Sequence, residues 1–352
     1  MFPHIRLNKQ RRRLGVILIA IMVLSAPSFS IPRSRAEDRQ PLLNAVQQTP
    51  VIEHATAAWE RTFAYTDPGA VIFHDGKFHM FRNSFKSWPA PVSIAYMTSP
   101  DGVTWTEMAA APVLDSPNVP LTKVAALASS VIVMEDGTWV LYFYTWNTYS
   151  GRAGNGAIGR ATAAEPTGPW TVDAEPALRP GEKGAWDDGE VGAPHVVKTA
   201  TGYAMYYAGF ARTGRPGGRI GLATSADGIR WEKQAEPVMA TSETWEGRGV
   251  TQVRVVAYET GWLMLYRASG KNPERDMGIG LAYSKDGKAW TKFGNGAAFL
   301  VADMPEQTAF WFVSSAVRND EVFVYLEMSP KANPGVTNIF TMTLTKNITL
   351  PE

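Results

Sequence analysis

The 352-residue chain contains no cysteine, and that absence removes several chemistries at once. Disulfides, thiolate nucleophiles, cysteine-ligated metals and a lipidated N-terminal cysteine are all excluded. Net charge is nearly absent too. With 34 Lys and Arg against 33 Asp and Glu, the chain has no electrostatic footprint for nucleic acid or an acidic membrane surface. Histidine is scarce: the five present show no metal-ligand spacing, so neither a metal nor a cofactor is expected. A comfortable membrane span is also missing. The one long apolar run, LGVILIAIMVLSAP, follows the basic MFPHIRLNKQRRR and has the length of an export-signal core. The expectation is a signal peptide and cleavage region over 1–36, cut after Ser30 or Ala36, then a linker over 37–47. The product would be secreted or periplasmic, with no stable membrane insertion after cleavage. An uncleaved anchor is the alternative.

What the chain has in abundance is turn formers and rings: 31 Gly, 24 Pro, 12 Trp, 12 Tyr and 15 Phe, a composition for many short strands joined by tight turns. The strands repeat. SPDGVTW (Ser99 to Trp105), SADGIRW (Ser225 to Trp231) and SKDGKAW (Ser284 to Trp290) share S-x-D-G-x-x-W, and AAEPTGPW ending at Trp170 is a degenerate copy. Trp59-Glu60, Trp186-Asp187 and Trp245-Glu246 each pair a ring with an acid ahead of a strand pair. Five hairpins follow one another at intervals of roughly 60 residues, from AVIFHDGKFHMFR to SAVRNDEVFVYLE. A unit of four short strands with a fixed turn signature is a propeller blade, and one blade cannot bury both its faces. The fold expected is therefore all-β, a five-bladed β-propeller over 48–352, folding as one domain and acting as a monomer.

The first blade carries the chemistry. DPGAVIFHDGKFHMF followed by SIAYMTSPDGVTWTE resembles the opening blade of the five-bladed glycosidases of glycoside hydrolase families 32 and 43. The resemblance implies a carbohydrate substrate and a carboxylate, Asp67, pointing into the central funnel as nucleophile or general base. Glycoside cleavage requires a second carboxyl, about 5 Å away for retention and about 6.5–9.5 Å for inversion. Carried onto the other blades from their hairpin turns, Asp67 falls on Ala128, Ala193, Gln252 and Phe312, none of them acidic.

The repeat sorts the remaining acids. Asp187 matches Glu60 and Glu246, and Asp101, Asp227 and Asp286 recur in every turn, so these read as structural caps. Asp188 and Glu190 face Gly247 and Gly249 in the fourth blade, so the blade itself needs no acid there. Both are candidates for the general acid, and a solvated loop is the bland alternative. Arg82, Arg267 and Glu327 are read as equivalent positions lining the funnel or pairing across blades. Gln252 and His195 are candidates for sugar hydroxyls, and Trp88, with Trp146 and Trp311, for stacking on a sugar face. Three functions remain open. The first is an exported glycoside hydrolase using Asp67 with Glu190 or Asp188. The second is a binding propeller that has lost catalysis. The third is a phosphorylase like those of glycoside hydrolase family 130, which needs one protein acid and a basic cluster drawn from Arg82, Arg254, Arg267 and His195. Export weighs against the third.

Overall fold

A computed structural model of the chain describes residues 47, 49–87, 91–147, 156–213, 217–258, 260–269, 277–293 and 296–345. The segment over 1–36 expected to be an export signal, and Trp88, lie outside the described residues. Within them the chain forms five antiparallel sheets. The first holds β1 (Tyr65–His74), β2 (Lys77–Phe85), β3 (Val92–Ser99), β4 (Thr106–Glu107) and β5 (Leu114–Asp115). The second holds β6 (Ala125–Val133), β7 (Trp139–Trp146), β8 (Ile158–Ala163) and β9 (Thr171–Val172). The third holds β10 (Glu190–Thr199), β11 (Gly202–Phe210), β12 (Arg219–Ser225) and β13 (Glu232–Lys233). The fourth holds β14 (Val250–Tyr258), β15 (Gly261–Ala268), β16 (Gly278–Ser284), β17 (Thr291–Lys292) and β18 (Phe299–Leu300), and the fifth β19 (Gln307–Arg318), β20 (Glu321–Pro330) and β21 (Asn338–Thr345). The innermost strands β1, β6, β10, β14 and β19 contact one another in that order, and β19 contacts β1. This closed ring of meandering sheets is the five-bladed β-propeller.

The repeated sequence pieces explain how neighbouring blades are fastened. In each S-x-D-G-x-x-W turn the serine hydroxyl accepts from the glycine N–H, and the aspartate Oδ1 accepts from the N–H groups two and three residues on. The turn glycines Gly102, Gly228 and Gly287 have φ of +82°, +71° and +72°, and their carbonyls accept from Tyr325, Tyr142 and Tyr206 of the preceding blade. A Cβ on any of the three would lie within 3.0 Å of that tyrosine oxygen, so glycine is required there. The motif tryptophans then pack edge-on against the same rings: Trp105 on Tyr325, Trp231 on Tyr142 and Trp290 on Tyr206. The degenerate copy keeps half of this device, with Trp170 against Phe81 at 5.4 Å. The aspartates expected to cap turns do so.

The fifth blade has three strands of its own and takes its edge from the other end of the chain. Gln47 N–H donates to Thr341, Val51 N–H to Ile339, and Ile339 N–H to Ile52. A segment just before the first blade thus borders β21 and closes the ring.

Candidate active site

Every innermost strand contains a β-bulge, so its residues do not alternate at a fixed interval from the hairpin turn. Asp67 pairs with Asn83 immediately before the first bulge, which consists of Pro68 and Gly69. Gly69 has φ +54°, and a Cβ there would come within 2.0 Å of the Phe81 carbonyl oxygen. This conformation turns the Gly69 N–H back onto Asp67 Oδ1 at 2.7 Å, and Asn83 Nδ2 donates to the same oxygen at 2.9 Å. Asn83 also clips the first blade to the second, donating to Ala128 O and accepting from Ala128 N–H. The other carboxylate oxygen, Asp67 Oδ2, is buried without a hydrogen-bond partner among the described residues.

The register corrects three sequence equivalences. Counted from the hairpin pairs His74–Lys77, Thr199–Gly202, Tyr258–Gly261 and Arg318–Glu321, the positions matching Asp67 in the third, fourth and fifth blades are Gly192, Thr251 and Trp311, not Ala193, Gln252 and Phe312. On the second strands the same count aligns Asn83, Ala208, Arg267 and Glu327. Arg82 is one residue out of step with Arg267 and Glu327 and points the other way. It is fully buried, donating to Glu60, Thr66, Ser84 and Thr56, with Glu107 at 3.4 Å. Arg82 therefore belongs to the blade start and not to the funnel. Tyr144 stands two residues beyond the tyrosine fastener Tyr142, as Glu327 stands two beyond Tyr325, so it completes the inward-facing set.

The inward set is polar and closely coupled. Glu327 is 1% exposed, and burial together with the nearby Asp67 charge holds its carboxyl well above the usual range. One of its oxygens is engaged by the Thr337 hydroxyl and the Phe312 N–H, while Oε2 has no partner. Burial also pushes Asp67 up, to about 7, against the pull of Asn83, Gly69 and Arg254. Arg254 and Arg267 are both brought down to about 10 by burial, opposed by Asp67 and Glu327 respectively. Arg254 donates from Nη1 to Val253 O and leaves Nε without a partner; Arg267 donates from Nε to Phe310 O and lies over the Phe310 ring. Among the described residues neither guanidinium has a carboxylate oxygen in salt-bridge range, unlike Arg82 or Arg160. His195, beside Arg254, is held well below its ordinary value by burial and then by that positive charge. Val255 N–H donates to its Nδ1, which places the proton of the neutral ring on Nε2.

The two acids expected from the third blade part company. Glu190 is buried and accepts from the Tyr144 hydroxyl across the blade boundary. Asp188 serves its own loop: Arg212 N–H and Gly184 N–H donate to its two oxygens and hold it below the usual carboxylate range. A carboxyl kept ionised in this way is a poor proton donor. Gln252 occupies the fourth bulge with φ +49° and is nine-tenths buried. Trp311 is exposed, at 40%, with its Nε1–H donated to Ser329. Asn83 and Tyr144 escaped the sequence reading; the signal for both was present in the hairpin count, one residue away from Arg82 and Phe143. No group of three or more His, Asp or Glu among the described residues could hold a metal ion.

Comparison with known proteins agrees with this geometry. The model of glycoside hydrolase family 130, described as β-1,4-mannooligosaccharide phosphorylase, matches residues 205–328. A 1,2-β-oligomannan phosphorylase of Thermoanaerobacter sp. (strain X514) is 29% identical over 147 residues, a segment that spans 39% of this chain and 47% of that protein. Among solved structures, one described for family 130 mannoside phosphorylases and hydrolases that target β-1,2 mannosidic linkages in Candida mannan superposes with a TM-score of 0.66 at 15% identity, over 88% of this chain and 96% of that one. A thermostable family-43 glycoside hydrolase gives 0.63 at 17% identity, over 85% and 98%. A family 117 glycoside hydrolase from Zobellia galactanivorans gives 0.65 at 19%, over 88% and 94%. The chain has the five-bladed propeller fold of these glycosidases, as the first-blade resemblance implied, and its local sequence match is to the family 130 model.

Proposed function

We propose that the protein is a glycoside phosphorylase that cleaves β-linked mannooligosaccharides with inorganic phosphate. The observation that carries this reading is the pair Arg254 and Arg267: a buried and a partly buried guanidinium beside Asp67 and Glu327, with no salt bridge to a described carboxylate. A buried cation without an ion-pair partner is costly, and an oxyanion in the funnel would offset that cost while leaving bidentate donors aimed at it. Neutral His195, with its Nε2–H free of the Val255 bond, adds a donor that does not repel a sugar hydroxyl. The family 130 match and the oligomannan phosphorylase relative support the same class and suggest the mannoside.

In this mechanism the anomeric carbon faces phosphate on one side. The buried carboxyl pair supplies what the departing oxygen needs on the other. Asp67, fixed by Asn83 and Gly69, is the site's ionised member. The test is to incubate the purified protein with β-1,2- and β-1,4-mannobiose, with and without phosphate. Mannose 1-phosphate formed only with phosphate is the expected result, abolished in Asp67→Asn. Free mannose formed equally without phosphate would replace this reading with hydrolysis.

A further inference from the structure

Glu327 carries an unused capacity. It occupies the inward position of β20, and its Oε2 is buried without a partner among the described residues. The charged groups that act on it are Asp67 from β1 and Arg267 from β15; its other oxygen meets the Thr337 hydroxyl and the Phe312 N–H. A buried carboxylate with a bare oxygen is costly, whereas a carboxylic acid with a free O–H needs only an acceptor. Two neighbouring buried carboxyl groups do not ionise together readily, so the pair retains a proton. Asp67 has the better support for a negative charge, with two hydrogen bonds on one oxygen and the nearby Arg254. The proton therefore falls to Glu327. Neither acid named from the third blade competes, since Glu190 already accepts from Tyr144 and Asp188 is held ionised by its loop.

We propose that Glu327 gives its Oε2 proton to the glycosidic oxygen as that bond breaks, an assignment that rests on the function proposed above. A phosphate oxygen forms the new bond to the anomeric carbon, and the C–O electron pair leaves with the departing sugar. That oxygen takes the Glu327 proton and becomes a hydroxyl. Ionisation of the hydrogen-phosphate ester returns a proton to the Glu327 carboxylate, so the cycle closes without another reagent.

Two measurements on Glu327→Gln test this, with wild type and Asp67→Asn beside it. The variant is expected to lose about 10²–10⁴-fold on β-mannobiose with phosphate, the usual worth of a general acid. It should stay near wild-type rates on a dinitrophenyl β-mannoside, whose leaving group needs no proton. Equal losses on both substrates, or no loss on either, would overturn the assignment. In infrared difference spectra at neutral pH, wild type minus variant should show a carboxylic-acid carbonyl band; a carboxylate signature there would overturn it too. Should the variant fail to fold, wild type with ¹³C-labelled glutamate must keep one carboxyl protonated well above the titration of Glu107, and its absence would refute the proposal. Free mannose formed by wild type equally without phosphate, with the carbonyl band intact, would instead mark failure of the function reading and not of the protonation state.

Discussion

Arg82 and Arg254 are both buried guanidinium groups in inner hairpins of the same propeller, yet their surroundings are opposite. Arg82 has Glu60 at 2.8 Å, Glu107 at 3.4 Å and three hydroxyl acceptors. Arg254 has a single backbone carbonyl and an unpartnered Nε. Burial alone thus fails to separate scaffold from site, while the completeness of hydrogen bonding does so. Arg82 is saturated by its framework, whereas Arg254 keeps donors to spare.

The same comparison runs between blades. In the third and fourth blades the acid of the Trp-acid pair is satisfied by a tyrosine and a lysine: Asp187 by Tyr207 and Lys233, Glu246 by Tyr266 and Lys292. In the first blade Arg82 takes the tyrosine's place and Glu107 the lysine's. The cation has moved from the outer strand to the inner one, and a surplus carboxyl marks the old position.

Breaking the framework side gives the largest effect. Arg82→Met should cost about 3–5 kcal/mol in denaturant unfolding, because Glu60 is left charged and buried. The double substitution Arg82→Tyr with Glu107→Lys rebuilds the arrangement of the third and fourth blades and should recover most of that loss. A double variant no more stable than Arg82→Met would show that the two solutions are not interchangeable.

Breaking the site side should do the reverse. Arg254→Met is expected to leave the unfolding midpoint unchanged or raised, since no ion pair is lost, while the phosphate concentration at half-maximal rate rises at least about tenfold. A large destabilisation with unchanged phosphate dependence would place Arg254 in the framework after all.

The smallest effect sharpens the comparison between blades. Burial pushes Glu107 up to about 7, with Arg82 pulling it down and Glu60 raising it further. A raised carboxyl favours the folded state while it is protonated, and that contribution is lost as pH rises from about 4.5 to about 7. Glu107→Gln should therefore match wild type at pH near 4 and gain on it through that window, by on the order of 1–2 kcal/mol at pH 8. Thermal unfolding at several pH values checks this, and a gap that does not vary with pH would refute it.

Much of this framework was legible in the chain because it is repeated. Each serine, aspartate, glycine and tryptophan of the turns has the same partner geometry in several blades, so recurrence exposed the propeller and its caps. Asp67 could be located from the DPG that it opens. The partners in the funnel were harder to find because neighbouring positions of one strand face opposite ways, so the one-residue offset between Arg82 and Asn83 separates framework from funnel. A one-residue offset moves a side chain to the other face of the sheet, and only a count from the turn reveals it. The loss of Asp188 as a candidate acid has a similar cause, since the N–H groups that hold it come from Gly184 and Arg212 and leave no side-chain signature.

The borrowed edge of the fifth blade sets a timetable. Ile52 and Ile339 pair across nearly the full length of the folded chain, and Thr66 bonds Thr337 beside them. During synthesis the first blade must exist with its neighbour missing until the final strand is made, and the segment around Val51 must stay unclaimed for as long. Completion of the ring is thus a late event that couples the two ends, and a ribosome stalled before Ile339 would hold four blades and an open seam.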